Sequence, residues 1–148
     1  MSSFKDINAS GNIEYHTMTK DNLEYPRVIW TGGGGYYMSE DQKITINMGE
    51  YPTGIQLFWS AYNRSAGTAY NYDFNIFTYV KNSYESEGRG VCILLVPRLN
   101  SYVSLKYVYI RETEIVGHSQ NIADGTAEHP VFGKLYNKNW VLTKVVAF

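Results

Sequence analysis

The chain has one cysteine, Cys92, and three histidines, His16, His118 and His129, among 148 residues. A single cysteine excludes an intrachain disulfide. Inside the apolar run Val91-Cys92-Ile93-Leu94-Leu95-Val96 it is expected to be a small buried hydrophobe rather than a nucleophile. No histidine has a second ligand at zinc spacing, so neither a metal nor a cofactor is expected. There is no GxSxG elbow, and the acidic pairs Glu85/Glu87 and Glu112/Glu114 fall in loop or edge positions without the setting of a glycosidase site. No catalytic residue emerges, and the expectation is a protein that is not an enzyme. An excess of one charge is lacking too: 13 Lys and Arg face 14 Asp and Glu. These charges are scattered, which argues against nucleic acid as a partner. No apolar run is long enough to span a bilayer, and the first thirty residues lack the order of a signal peptide. The expected product is therefore synthesised and folded in the cytoplasm, with no membrane partner.

What the chain does have is tyrosine, 14 residues of it. The tyrosine ring stacks, its hydroxyl hydrogen-bonds, and docking costs little rotamer entropy, so the residue accumulates on recognition surfaces as well as in strands. Binding or assembly is favoured over catalysis.

Residues 1–26 show no sustained helix or strand period and read as an irregular N-terminal arm, ended by the Tyr25-Pro26 step. From 27 to 148 the pattern is one of short β-rich runs separated by turn residues. Ile44, Ile46 and Met48 alternate with polar residues. Ile55, Leu57, Trp59 and Ala61 share one face of a strand, with Phe58 and Tyr62 on the other, which predicts cover on both sides. A strand is predicted over 72–80. The run 91–96 predicts a strand buried on both faces. Val103, Leu105, Tyr107 and Tyr109 alternate with Ser104 and Lys106, residues 114–116 form a short strand, 117–129 a long polar loop, and 140–148 the closing strand. About eight short strands at this spacing predict an all-β domain, an antiparallel sandwich or barrel. The glycine run Gly32 to Gly35 leads into Tyr36-Tyr37-Met38 rather than into Lys-Ser/Thr or a GxGxxG helix, and reads as a loose turn or bulge.

Several segments together carry a family likeness. They are Val28-Ile29-Trp30, Gly35-Tyr36-Tyr37-Met38, Gly54-Ile55-Gln56-Leu57-Phe58-Trp59-Ser60-Ala61-Tyr62 and Asn71-Tyr72-Asp73-Phe74-Asn75. Lys106-Tyr107-Val108-Tyr109-Ile110, Gly117-His118-Ser119, Gly125-Thr126 and Trp140-Val141-Leu142-Thr143-Lys144-Val145-Val146 complete the set. This succession resembles a β-domain of siphophage tail-tip proteins that occurs in receptor-binding and baseplate proteins. It is similar to small free-standing proteins of Bacillus phage tail-gene clusters. The likeness covers most of 27–148 and implies a place in the virion tail, other phage tail proteins as partners, contact with host cell-wall polysaccharide or teichoic acid, and a homotrimer.

The residues best suited to recognition lie in the loop from Tyr62 to Tyr72 and in that from His118 to His129. Tyr62, Tyr70 and Tyr72 offer ring faces; Asn63, Arg64, Asn71 and Asp73 offer directed hydrogen bonds to a hydroxylated ligand; His118 and His129 flank the second loop. Two functions fit this reading. One is an adhesin that contacts a cell-wall saccharide, and the other a structural adaptor that joins tail proteins without meeting a receptor.

Overall fold

The alternation of Ile55, Leu57 and Trp59 is realised in β5 (Gly54–Asn63), where all three side chains are fully buried. The computed structural model describes residues 3–7, 11, 13–17, 24–83, 90–96 and 103–148, and shows thirteen strands and no α-helix among them. The protein is all-β. On one edge β5 pairs with β13 (Trp140–Ala147), which in turn pairs with β3 (Arg27–Thr31). The other edge is shared by β7 (Asn75–Val80) and, near the end of β5, by the two-residue β6 (Thr68–Ala69). A second antiparallel sheet has the order β4 (Lys43–Thr45), β10 (Glu114–Val116), β9 (Ser104–Ile110) and β8 (Val91–Leu95). Ile44, Ile93, Leu95, Val108, Ile110 and Ile115 from this sheet share one core with Ile55, Leu57, Trp59, Leu142 and Val145 from the first, which makes the two sheets a sandwich.

Five expectations are corrected. The strand count rises above eight because short pairings such as β6 and the hairpin of β11 (Asp124–His129) with β12 (Gly133–Tyr136) carry too little periodicity to be read. For the same reason the supposed long loop 117–129 holds a 3-10 turn, Ser119–Ile122, followed by β11. The N-terminal arm is not irregular throughout: β1 (Ser3–Ile7) and β2 (Ile13–Thr17) pair antiparallel, Phe4 opposite His16. The strand expected from Tyr72 starts at Asn75, since Asn71 and Asp73 have φ of 58° and 50°, outside any strand. Finally, β8 is buried on one face only. Its sheet meets the core with one face only, so Ile93 and Leu95 point inward while Cys92 is exposed and Leu94 and Val96 are 41% and 55% exposed.

The polar alternation in β9 has an unexpected outcome. Ser104 and Lys106 are buried along with Leu105, Val108 and Ile110, and Tyr107 and Tyr109 are only half buried. Lys106 Nζ donates to the carbonyl oxygens of Tyr37 (3.1 Å), Asn121 (3.1 Å) and Asn137 (2.5 Å), and lies 5.5 Å from the centre of the Trp59 ring. Three carbonyls match the three donors of an ammonium. Beyond the end of β10, side-chain amides continue the ladder along β9. Asn121 receives Tyr107 N–H at 2.8 Å and donates to Tyr107 C=O at 2.7 Å, while Asn137 receives Leu105 N–H at 2.9 Å.

These hydrogen-bond partners of Lys106 are all neutral, so complete burial pushes its pKa well below the usual 10.5. Between the depressed folded value and 10.5 the unfolded chain holds a proton that the folded chain lacks, and stability therefore rises with pH across that window. Tyr37 is raised above 10.0, chiefly by burial, and Tyr107 chiefly by its hydrogen bond with Cys92. Both phenols act in the opposite sense: their stabilisation is present below 10.0 and is lost as pH rises through their folded values. A urea midpoint followed against pH is expected to climb on the alkaline side and turn over near 10. A flat profile below that turn would refute the depressed lysine.

Candidate functional site

At the far end of β5 the chain folds back through a tight loop. Asn63 Oδ1 accepts Ala66 N–H at 3.1 Å, and Asn63 C=O accepts Gly67 N–H at 2.8 Å. Asn63 is thereby committed to shaping the loop. The glycine run is a turn, with Gly33, Gly34 and Gly35 all at positive φ, and it lies against this loop: a Cβ on Gly33 would stand 3.9 Å from Ala69 Cβ.

After β6 the backbone is pinned by Tyr70 N–H to Ala61 C=O (3.0 Å) and by Asn71 N–H to Ser60 Oγ (2.9 Å). The left-handed turns at Asn71 and Asp73 then carry Tyr70 and Tyr72 outward, 45% and 57% exposed, with their rings edge to face at 5.6 Å. Tyr62 is half buried instead, its ring edge-on to Tyr37 at 5.6 Å. Burial first, and the neighbouring Tyr62 second, keep the Tyr37 phenol protonated above its ordinary range. Lys138 Nζ lies 5.8 Å from the centre of the Tyr37 ring.

The two predicted loops do meet. Arg64 makes a bidentate pair with Asp124, Nη1 to Oδ1 at 2.9 Å and Nη2 to Oδ2 at 2.8 Å. The pair is largely exposed and contributes at most about 1 kcal/mol to stability, so its effect is to hold one loop against the other. The histidines have other tasks. His118 Nδ1 accepts Gln120 N–H at 3.0 Å and caps the 3-10 turn, its ring 5.4 Å from that of Tyr107. His129 Nδ1 accepts Val131 N–H at 3.0 Å in the β11–β12 connection and packs on Phe132. Each imidazole serves its own turn. Among the described residues no group of three or more His, Cys, Asp or Glu side chains is placed to hold a metal. The acidic pair Glu85/Glu87 lies outside the described residues.

The exposed tyrosine pair thus brings together Tyr70 and Tyr72 with their chain neighbours Asn71 and Asp73, while the Arg64–Asp124 brace stands by Tyr37 and Tyr62. Asp124 and the supporting pair Tyr37 and Lys138 were not identifiable from the sequence, because nothing local links position 64 to position 124. A separate cleft of about 240 Å³ lies at the opposite end of the sandwich, between Met48, Tyr79, Lys81, Asn82, Arg111 and Glu112, and contains none of the predicted residues. No protein-family model, no curated protein and no solved structure matches the chain.

Proposed function

We propose that this protein is a non-catalytic recognition module of the phage tail-tip type, which contacts a hydroxylated cell-wall polymer through Tyr70 and Tyr72. The observation that carries the reading is the exposed edge-to-face pair of these rings, set on a backbone fixed by Ser60 and Ala61, with Asn71 and Asp73 as their neighbours in the chain. Exposed rings supply apolar faces for the C–H side of a sugar, and the amide and carboxylate groups beside them orient its hydroxyls. On this reading the protein works in the virion tail among other tail proteins. One sugar unit on so open a surface binds at about millimolar, roughly −4 kcal/mol, and useful adhesion comes from several copies.

The test is binding of the purified protein to host cell walls, compared with a Tyr70→Ala/Tyr72→Ala double variant. Both side chains are exposed, so the variant is expected to keep its thermal transition while losing about tenfold or more in binding, equivalent to roughly 1.4 kcal/mol. Asn71→Asp is the appropriate companion, since alanine would strain the left-handed backbone there. Unchanged wall binding by the double variant would remove the tyrosine surface from the mechanism. Absence of wall binding by the wild type, with capture of another tail protein, would replace the adhesin with the adaptor.

A further inference from the structure

The cleft at the end of the sandwich remote from Tyr70 and Tyr72 has apolar walls and a charged rim. Met48, Tyr79 and Ile110 supply the walls and are all buried. On the rim, Arg111 N–H donates to Glu114 C=O (2.9 Å), its Nη1 donates to Glu114 Oε1 (2.8 Å), and its guanidinium carbon lies 5.7 Å from the centre of the Tyr109 ring. Held in this way, the guanidinium keeps one donor unused: Nε is buried and makes no hydrogen bond. Lys81 N–H donates to Thr53 C=O (2.8 Å) and its Nζ to Tyr51 C=O, which leaves the ammonium with donors to spare. Glu112 is brought in by Met48 N–H, which donates to its C=O at 2.9 Å. Gly49 leaves room for the carboxylate, since a Cβ there would stand 3.2 Å from Glu112 Oε1. Among the described residues neither Lys81 nor Glu112 forms an ion pair.

We propose that this cleft binds a small zwitterion with an apolar side group, of the class of a free α-amino acid. The ligand carboxylate meets Arg111 Nε and Lys81 Nζ, its ammonium meets Glu112, and its side group covers Met48, Tyr79 and Ile110. The class follows from the charges left over. Arg111 is already paired with Glu114, so the unpaired charges are one of each sign, Lys81 and Glu112. A simple anion would leave the Glu112 carboxylate opposed to it, and a simple cation would do the same with Lys81. A buried N–H without an acceptor is costly, and a carboxylate that reaches Arg111 Nε satisfies it with a charge-assisted hydrogen bond. Size points the same way. The volume of about 240 Å³ lies below the roughly 300–1,000 Å³ of sites for drug-sized ligands, and apolar walls with a few placed polar groups are the make-up of such sites. The proposal is independent of the tyrosine surface, which none of these residues joins.

The test is an NMR titration of the isotope-labelled full chain with L-leucine, N-acetyl-L-leucine and L-leucinamide, each taken to about 10 mM, above the millimolar affinity expected of so small a ligand. Leucine should shift the methyl signals of Met48 and Ile110 and the amide of Gly49 in a saturable way. Each analogue keeps the side group and loses one charge, so both should bind about tenfold or more weakly than leucine. Glu112→Gln changes an exposed side chain and should keep the thermal transition. It should weaken leucine about tenfold while leaving N-acetyl-leucine no weaker, because only the ammonium site is lost. Lys81→Met should weaken leucine and N-acetyl-leucine alike. The Tyr70→Ala/Tyr72→Ala variant should bind leucine as the wild type does. A wild type without saturable shifts, N-acetyl-leucine or leucinamide binding as tightly as leucine, or a Glu112→Gln protein with unchanged leucine affinity would each overturn the proposal.

Discussion

Replacing Lys106 with methionine is expected to destabilise the protein by about 3–5 kcal/mol, because three buried carbonyls lose their donor together. Methionine keeps much of the length and apolar stem, so the loss isolates the ammonium. The carbonyls of Tyr37, Asn121 and Asn137 lose a donor in a space closed to water, and a buried unsatisfied acceptor costs about 1–3 kcal/mol. Relief from desolvating the ammonium acts in the opposite direction. Three orphaned carbonyls against one relieved charge decide the sign. Since a domain is stable by only about 5–15 kcal/mol, the variant should lose a large part of its stability. Urea denaturation checks this, with the midpoint expected to fall by about 1 M or more. Hydrogen exchange should locate the early loss in the turns around Asn121 and Asn137, which the lysine ties to β9. A midpoint equal to or above that of the wild type would mean that relief from desolvation outweighs the lost hydrogen bonds.

Trp59→Ala is expected to cost about 3–5 kcal/mol as well, for a different reason. The side chain is fully buried between the sheets, and truncation leaves a cavity that two hydrogen-bonded layers cannot close. Its indole Nε1 makes no hydrogen bond, so none of the loss is that of a hydrogen bond. Trp59→Phe, which keeps a ring in place, should therefore lose much less. The ring also faces Lys106 Nζ at 5.5 Å, and the two substitutions should be non-additive in a double-mutant cycle. A loss below about 1 kcal/mol for Trp59→Ala, the size of a surface effect, would place the indole outside the core.

Trp59 was legible in the sequence because the apolar alternation of β5 states which face is inward and a one-residue slip would expose the entire set. The turn at Gly33 to Gly35 was legible for a comparable reason, since positive φ favours glycine wherever it occurs. Tyr70 could be placed in a loop by the polar residues around it, whereas Tyr72 read as the start of a strand that begins only at Asn75. The brace could not be placed, because Arg64 and Asp124 are brought together only when the end of β5 meets β11.

Two strands show where local pattern and position in the fold separate. An apolar run such as Val91-Cys92-Ile93-Leu94-Leu95-Val96 reads the same whether one face of its strand is covered or both, and only the packing of the two sheets leaves Cys92 and Leu94 outside. In β9 a lysine reads as the solvent side, because an isolated ammonium is costly to bury. The sequence by itself determined the all-β class, the inward face of β5 and the turns, since each depends on periodicity or on backbone conformation at one place. Which polar residues lie inside was decided by the tertiary structure alone: Lys106 can be buried only because Tyr37, Asn121 and Asn137, distant from it in the chain, converge to offer one carbonyl to each of its three donors.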